Sequence, residues 1–311
     1  MDNYDIAILG GGPIGAATAY FLSLSPEFKS KKIILITQDP LEEDTNHEST
    51  YLYAGGCINY SFWPRNPLKA EMTKVTADFI KDLAKKGVDL SLIEDYYLFL
   101  DRGVFSPSLN VAGSKLVKYF IDQAKQNGVE YKPQTTLNSF EKQGDKYLVK
   151  TTGGEFLTEK AVLALGANNN KFTDKKIELE KRVLLVLDLP IDEAREKFPH
   201  TIIPFNDGWV YLFIKNIGGQ LKMVLGEEDA VELDDLKGEE NYLPELLEKG
   251  LDEIVPFLKE AKVEKILWGF DSLENDPIID SEDNQLYVVN CGSAVRACIY
   301  IGQEVAKKIL G

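Results

Sequence analysis

Gly10, Gly12 and Gly15 are spaced G-x-G-x-x-G, the first pattern in this chain that implies chemistry. They stand between an apolar run, Ile6 to Leu9, and an alanine-rich run containing Ala16, Ala17 and Ala19. A strand that feeds a helix through such a turn holds the pyrophosphate of a dinucleotide. Gly10 permits the tight turn, Gly12 lets the backbone approach the phosphates, and Gly15 lets the helix pack close to the strand. Pro13 and Ile14 begin that helix, whose unpaired N–H groups and positive dipole end face the anion. An ordinary glycine-rich loop is the alternative. Arginine is the second chemical resource, and it is scarce. Arg65, Arg102, Arg182, Arg195 and Arg296 stand against thirty lysines. A planar guanidinium suits a bidentate hold on a carboxylate, and Arg65 and Arg182 are candidates for one. A phosphate needs converging cations, for which Arg182, Lys215 and Lys222 are the supply.

The elements that must position these groups read as follows. After the glycine turn and its helix, Lys32 to Ile36 is a second strand. The next residues are Thr37, Gln38 and Asp39. Thr37 stands where the dinucleotide pattern has an acidic residue for the ribose hydroxyls, so Asp39 reaches instead or neutral groups hold the ribose. Ser49, Thr50, Ala54, Gly55 and Gly56 crowd into a loop, either a plain turn or a backbone laid against a flat ligand. Asn66 as N-cap, Pro67 at the first helical position and Gly87 past the end delimit a helix. Its Met72, Val75, Phe79 and Leu83 form a core stripe. Tyr96 to Leu100 predicts a strand, Asn110 to Asn127 a helix closed by Gly128, and the residues after Gly128 another strand. Gly153-Gly154 signals a hairpin between Tyr147–Thr151 and Glu155–Thr158. Ala161 to Gly166 is a buried parallel-type strand. Arg182–Asp188, Thr201–Ile203, Val210–Ile214 and Met223–Leu225 predict an antiparallel sheet, with turn signals at Asn206-Asp207-Gly208 and Gly218-Gly219. Pro244 to Glu260 reads as a helix. Leu286 to Asn290 is a strand, followed by Cys291-Gly292-Ser293 and a final helix to Leu310.

The whole chain sets limits. A net charge of −15 over 311 residues argues against nucleic acid or an anionic membrane as partner, because both attract positive proteins. Cys57, Cys291 and Cys298 have no metal or C-x-x-C spacing, which fits a reducing compartment without a disulfide framework. No metal site is expected. Met1 to Tyr4 has no basic n-region, so no signal peptide is expected. No apolar run approaches the length of a membrane span. A cytoplasmic location follows as the expectation.

In collinear order, the chain resembles the FAD-dependent oxidoreductases of the D-amino-acid oxidase and glycine oxidase superfamily. GGGPIGAATAY matches the family's opening nucleotide motif. HESTYLYAGG looks like the loop beneath the flavin. SPSLNVAGSKLVKYFIDQAKQNGVE is similar to the segment that returns to the FAD domain. KAVLALGA looks like the strand closing over FAD, and GWVYLFIKNIGGQLKMVLGEED like two strands of the substrate domain. DPIIDSEDNQLYVVNCGSAVRACIYIG is similar to the C-terminal strand, loop and helix at the flavin. The resemblance implies an α/β fold: a discontinuous Rossmann-type FAD/NAD(P)-binding domain with an inserted antiparallel α+β substrate domain. The boundaries it implies are residues 1–78, 106–170 and 268–311 for FAD, and 79–105 and 171–267 for substrate. Beyond the residues already named, it assigns Gly56, Leu137, Ala164, Gly166, Gly292, Ser293, Ala294, Val295 and Arg296 to the cofactor.

No second nucleotide motif is present, so the resemblance implies that electrons come from an organic substrate. Hydride would leave a carbon bearing an amine or hydroxyl for flavin N5. Family members carry a carboxylate-binding arginine in a G-x-R-P-like segment; here Trp268-Gly269-Phe270-Asp271-Ser272 places Asp271 there. Asp271 either meets a cationic amine or is a solvated loop residue. Leu52 stands where some relatives attach FAD through histidine, and His47 lies too early. Cys57 has nothing local that favours a thioether, so FAD is expected to be non-covalent. Arg296 either stabilises charge on the reduced flavin or faces solvent. Tyr211 and Trp268 are pocket walls or core. Arg296, Asp271 and Tyr211 are thus the catalytic candidates. The substrate readings are an amine or amino acid, a glycerol-3-phosphate-type hydroxy compound, or none in a flavin-binding subunit of a larger redox complex. The electron acceptor, oxygen or a carrier, and the oligomeric state stay open.

Overall fold

The computed structural model describes residues 1–39, 51, 56–59, 66–101, 103–189, 191, 200–205, 208–217, 219–227, 242–272 and 277–310. The side chains of Trp268 and Asp271 are also outside that description.

Strand β1 (Asp2–Leu9) is apolar and buried on both faces from Ile6 to Leu9. Ile6 and Ile8 enter one cluster with the helices, while Ala7 and Leu9 enter another on the opposite side. Continuous apolar sequence is what a parallel strand buried on both faces requires. β1 runs into α1 (Pro13–Leu24) and then β2 (Ile33–Ile36), and β1 and β2 pair in parallel with Leu9 opposite Ile36. β3 (Cys57–Asn59) follows, then α2 (Pro67–Lys85), β4 (Ile93–Phe99), β5 (Val104–Asn110), α3 (Gly113–Gln126) and β6 (Glu130–Lys132). The hairpin β7 (Leu137–Gln143) and β8 (Lys146–Thr151) leads to β9 (Gly154–Leu163). The first sheet has the order β15-β16-β9-β1-β2-β6, with β15 (Ile278–Glu282) and β16 (Leu286–Asn290) coming from the far end of the sequence.

One face of this sheet is covered by α1, α2, α3 and the final helix α6 (Ala294–Leu310), the other by the β7–β8 hairpin. The capping signals act as read. Asn66 Oδ1 accepts from the Lys69 N–H at 2.9 Å, and Gly87 and Gly128 have φ of +81° and +99°. α1 and α6 approach closely because their contact is made of small residues. A Cβ on Gly302 would lie 2.9 Å from Ala17.

The second sheet has the order β14-β10-β13-β12-β11-β4-β5-β3. It contains β10 (Leu179–Asp188), β11 (His200–Phe205), β12 (Gly208–Ile217), β13 (Gln220–Glu227) and β14 (Lys262–Ser272). Its neighbours pair antiparallel, as expected, except β4 and β11, which pair in parallel with Tyr97 opposite His200. The helices α4 (Tyr242–Glu248) and α5 (Leu251–Ile254) cover one face with Leu243, Leu246 and Leu251. The other face looks toward the glycine turn of the first sheet.

Four expectations need correction. Glu155–Thr158 and Ala161–Gly166 are one strand, β9, which pairs antiparallel with β8 and parallel with β1. Asn110 belongs to β5, where its side-chain amide donates to the Ile214 carbonyl, so the helix starts at Gly113. The helix read from Pro244 to Glu260 is broken at Gly250, whose φ is +92°, and ends in a 3-10 turn, Pro256–Glu260. The eleven-residue β14 was not anticipated. It is an edge strand whose Lys262, Glu264 and Lys265, charges of the kind that protect an edge, break the apolar alternation.

Candidate active site

Each glycine of the turn has a distinct surrounding. The Gly10 N–H donates to the Ile36 carbonyl at 3.0 Å, and φ there is +112°. A Cβ on Gly10 would sit 2.3 Å from the Ala164 carbonyl oxygen, and one on Gly15 would sit 1.9 Å from that of Gly10. Gly12 differs, because the nearest atom to its Cβ position is in the Tyr51 ring at 3.8 Å. α1 has no side-chain cap at Gly12 and no acidic residue in its first turn. Its N-terminal donors are therefore left for an external anion.

A cavity of about 1120 Å³ opens from this turn and reaches the second sheet. Gly10, Gly12, Pro13 and Ile14 line it, with Thr37, Gln38, Gly56, Leu137, Ala164 and Gly166. Gly15 lies behind the wall as a packing residue. Thr37 and Asp39 are both buried, and the Asp39 N–H donates to Thr37 Oγ1 at 3.2 Å. Asp39 lines the cavity too, so both residues weighed for the ribose end border it. Ser49, Thr50 and Gly55 lie outside the described residues, as do Leu52, His47, Arg65, Arg102 and Arg195.

The far wall is the turn into α6. All of β16 is buried, and Ser293 has φ of +58° as the chain swings into the helix. Gly292, Ser293, Ala294, Val295 and Arg296 all line the cavity. Arg296 is half-buried, and its Nε donates to the Cys57 carbonyl at 3.2 Å, tying α6 to β3. Two helix N-termini and one guanidinium thus converge on one space.

Burial and Arg296 set the protonation of the neighbours. Burial pushes the Cys57 thiol up to about 12, against the pull of Arg296 and Lys215, so the thiol stays protonated. Burial lowers Lys215 to about 8. His200 falls to about 3, first from burial and then from Arg296, and its Nδ1 lies 3.3 Å from Ser108 Oγ. A folded-state value below the ordinary 6.5 means that the unfolded chain binds the proton more readily between pH 6.5 and 3. His200 therefore subtracts stability as pH falls through that window, by about 1.4 kcal/mol per pH unit at most. Thermal midpoints measured from pH 7 to 4 should show His200→Gln losing less stability on acidification than the parent. Equal losses would show that the imidazole is not held neutral by the fold.

The second sheet forms the ceiling. Alternate residues of neighbouring strands point down: Tyr97, Ile202, Tyr211, Phe213, Leu184 and Leu267. Tyr211 packs its ring over Gly226, which sits opposite it in the ladder. A Cβ on Gly226 would come within 2.4 Å of that ring. Arg182 also lines the cavity, and its guanidinium donates from Nε (2.7 Å) and Nη2 to the Oε1 of buried Glu180. The backbone of Asp271 lies opposite Glu180 on β14. His200 and Glu180 were not singled out from sequence, since a lone charged or imidazole side chain in a strand carries no spacing signal. Their signal is parity with Tyr211 and Phe213 once the strand register is known.

The family model for FAD-dependent oxidoreductases matches residues 5–104 and 99–308. The chain belongs to that family. No curated protein matches it in sequence. Among solved structures it is similar to L-proline dehydrogenase from P. horikoshii, with a TM-score of 0.78 and 19% identity over 99% of this chain and 93% of that one. It is also similar to glycine oxidase from Geobacillus kaustophilus, with a TM-score of 0.70 and 17% identity over 100% and 95% of the two chains. L-alpha-glycerophosphate oxidase from Mycoplasma pneumoniae, solved with FAD bound, gives a TM-score of 0.73 and 17% identity over 100% and 96%. These likenesses establish the fold, with its Rossmann-type FAD domain and a second domain. No described helix is long and apolar enough to cross a membrane.

The residues present fit FAD. Gly12 leaves room at an uncapped helix N-terminus for the pyrophosphate. On the same cavity the Tyr51 hydroxyl and Asn290 Nδ2 are buried without a protein partner among the described residues, as groups awaiting a ligand's polar atoms are.

Proposed function

We propose that this FAD-dependent oxidoreductase takes hydride from the carbon bearing the amine of an amino acid and delivers it to flavin N5. Arg182 carries this reading. It is the described arginine on the ceiling of the cavity, and it supplies from β10 the guanidinium that Asp271 withholds from β14. FAD, when bound, supplies the two-electron acceptor. Gly12 and α1 hold its phosphates, and Arg296 with the N-terminus of α6 faces its ring system. The ceiling residues Tyr97, Tyr211 and Phe213 keep water from the substrate's reacting carbon. In this reading FAD is held without a covalent bond, since the sequence around Cys57 has nothing that favours a thioether. The residue ranges set out above for the FAD and substrate domains are part of this proposal.

A glycerophosphate-type substrate is disfavoured. Its phosphate needs several cations, yet Lys222 is paired with Glu264 at 2.5 Å, and Lys215 does not line the cavity. What the similar structures are named for, proline, glycine and glycerophosphate, sets the panel. Under anaerobic conditions, at least one α-amino acid from a panel of both hands should bleach the flavin and glycerol 3-phosphate should not. Arg182→Met should raise the half-saturating amino-acid concentration about tenfold to a hundredfold, the loss of one charge-assisted pair. Bleaching by glycerol 3-phosphate alone would overturn the reading. Failure of every compound would favour a flavin-binding subunit.

A further inference from the structure

Glu180 is a buried charged group on the cavity that the proposed chemistry leaves without a task. It is 9% exposed and stands two residues before Arg182 on β10, so both side chains leave one face of the strand. Nε and Nη2 of Arg182 both donate to Oε1. Oε2 has no further partner among the described residues. A carboxylate beside the guanidinium that is to receive a substrate carboxylate works against that task, because it cancels the attraction an incoming anion would feel. The pair suits a ligand that brings both signs of charge.

We propose that Glu180 receives the substrate's ammonium group, so that the Glu180–Arg182 pair selects a zwitterion. This rests on the amino-acid reading and deepens it. In an α-amino acid the two charges are separated by two bonds, and here the complementary charges are already side by side on one strand face. A zwitterion entering a neutral pair buries no net charge. Each of its ends meets an opposite charge, which is the condition for ions to be tolerated away from water. A carboxylic acid without the amine would compete with Glu180 for Arg182 and leave the glutamate with less compensation. A phosphate monoester would set two negative charges beside it. Glu180 thus discriminates against anions as much as it attracts amines.

The test uses the FAD-loaded protein and matched pairs of probes: glycine with acetate, alanine with propionate, proline with cyclopentanecarboxylate. Binding is read by calorimetry and by perturbation of the flavin absorbance, without turnover where one hand of the amino acid is not oxidised. In the unaltered protein, at least one zwitterion should bind about tenfold or more tightly than its deaminated partner, the worth of a charge-assisted hydrogen bond. Glu180→Gln should reverse that order. The amino acid should bind more weakly by a similar factor, while the plain carboxylate binds severalfold more tightly, because Arg182 has lost its internal competitor. Glu180→Asp should keep the original order. A merely structural role would weaken both members of each pair together, and that result, or no change in either, would overturn the proposal. If Glu180→Gln fails to hold FAD, equal binding of zwitterions and plain carboxylates by the unaltered protein overturns it without a variant. Bleaching by amino acids with no such preference sinks this proposal alone. Bleaching by glycerol 3-phosphate alone sinks the reading beneath it.

Discussion

Gly12→Val should fold and lose its colour. The parent protein should be yellow and release FAD on acid precipitation. In the variant, isopropyl carbons would occupy the space above the uncapped α1 N-terminus, where the only near neighbour of a Cβ among the described residues is the Tyr51 ring at 3.8 Å. Protein atoms therefore offer little resistance to the new side chain, but a phosphate brought to the α1 donors would meet it. FAD affinity should fall about a hundredfold or more, corresponding to ~3 kcal/mol, with the circular dichroism of the apoprotein unchanged. Gly10→Val and Gly15→Val are the contrast. Their Cβ atoms would strike main-chain oxygens at 2.3 and 1.9 Å, and at Gly10 φ is also left-handed, so these variants should lose the fold together with the flavin. Normal FAD content in Gly12→Val would show that the cofactor's phosphates lie elsewhere.

Arg296→Met should keep FAD and lower its reduction potential, with the reduction rate down about a hundredfold, the ~2–4 kcal/mol typical of a deleted donor to developing negative charge. Arg296 sits in the first turn of α6, on the cavity, with its Nε donating to the Cys57 carbonyl at 3.2 Å. Its charge depresses the basicity of His200 and opposes the rise in the Cys57 thiol, so its field reaches the neighbouring groups. Reduction places negative charge on the cofactor's ring system, and a guanidinium held beside a helix N-terminus favours that charge. Arg296→Lys should be intermediate, since it retains the charge but not the planar fork. A reductive titration of each variant against a dye of known potential decides the matter. Unchanged potential and rate in Arg296→Met would end the catalytic role for this arginine.

The glycine turn and the helix caps were legible in the sequence as local structure because local rules wrote them. Gly10, Gly12, Gly15, Asn66, Pro67 and Gly128 each act within a few residues of themselves, and the structure gives each the environment its type implied. The ceiling was legible as strands but not as a site. Whether Arg182 points into the cavity or into the helix-covered core depends on the register of β10 with β13 and β14, which no local pattern records. Glu180 and His200 were silent for the same reason, and an exposed glutamate has the same letter as a buried one. The alternation that would have announced β14 was masked by its charged edge residues. The glycine pair at 153 and 154 was read correctly as a turn, but the strand after it runs on to Leu163 because it serves two neighbours, antiparallel β8 and parallel β1.

The close crossing of α1 and α6, made possible by Ala17 and Gly302, has a consequence for how the molecule comes into being. α1 spans residues 13–24 and α6 spans residues 294–310, so α1 finds its packing partner in a segment synthesised far later than itself. β1 and β9 can pair early, but β16 and α6 must arrive before that side of the sheet and its helical layer are complete. Such separation in sequence slows folding, because loop closure precedes the contacts that reward it. Both helix N-termini that face the cofactor cavity belong to this late pair, so the cavity is among the last features to form. A dinucleotide can be held at both ends only by a chain that has finished folding, and its binding pulls that state forward by mass action. Bound colour would then report completed assembly, and a nascent chain ending before Ala294 would stay colourless on the ribosome.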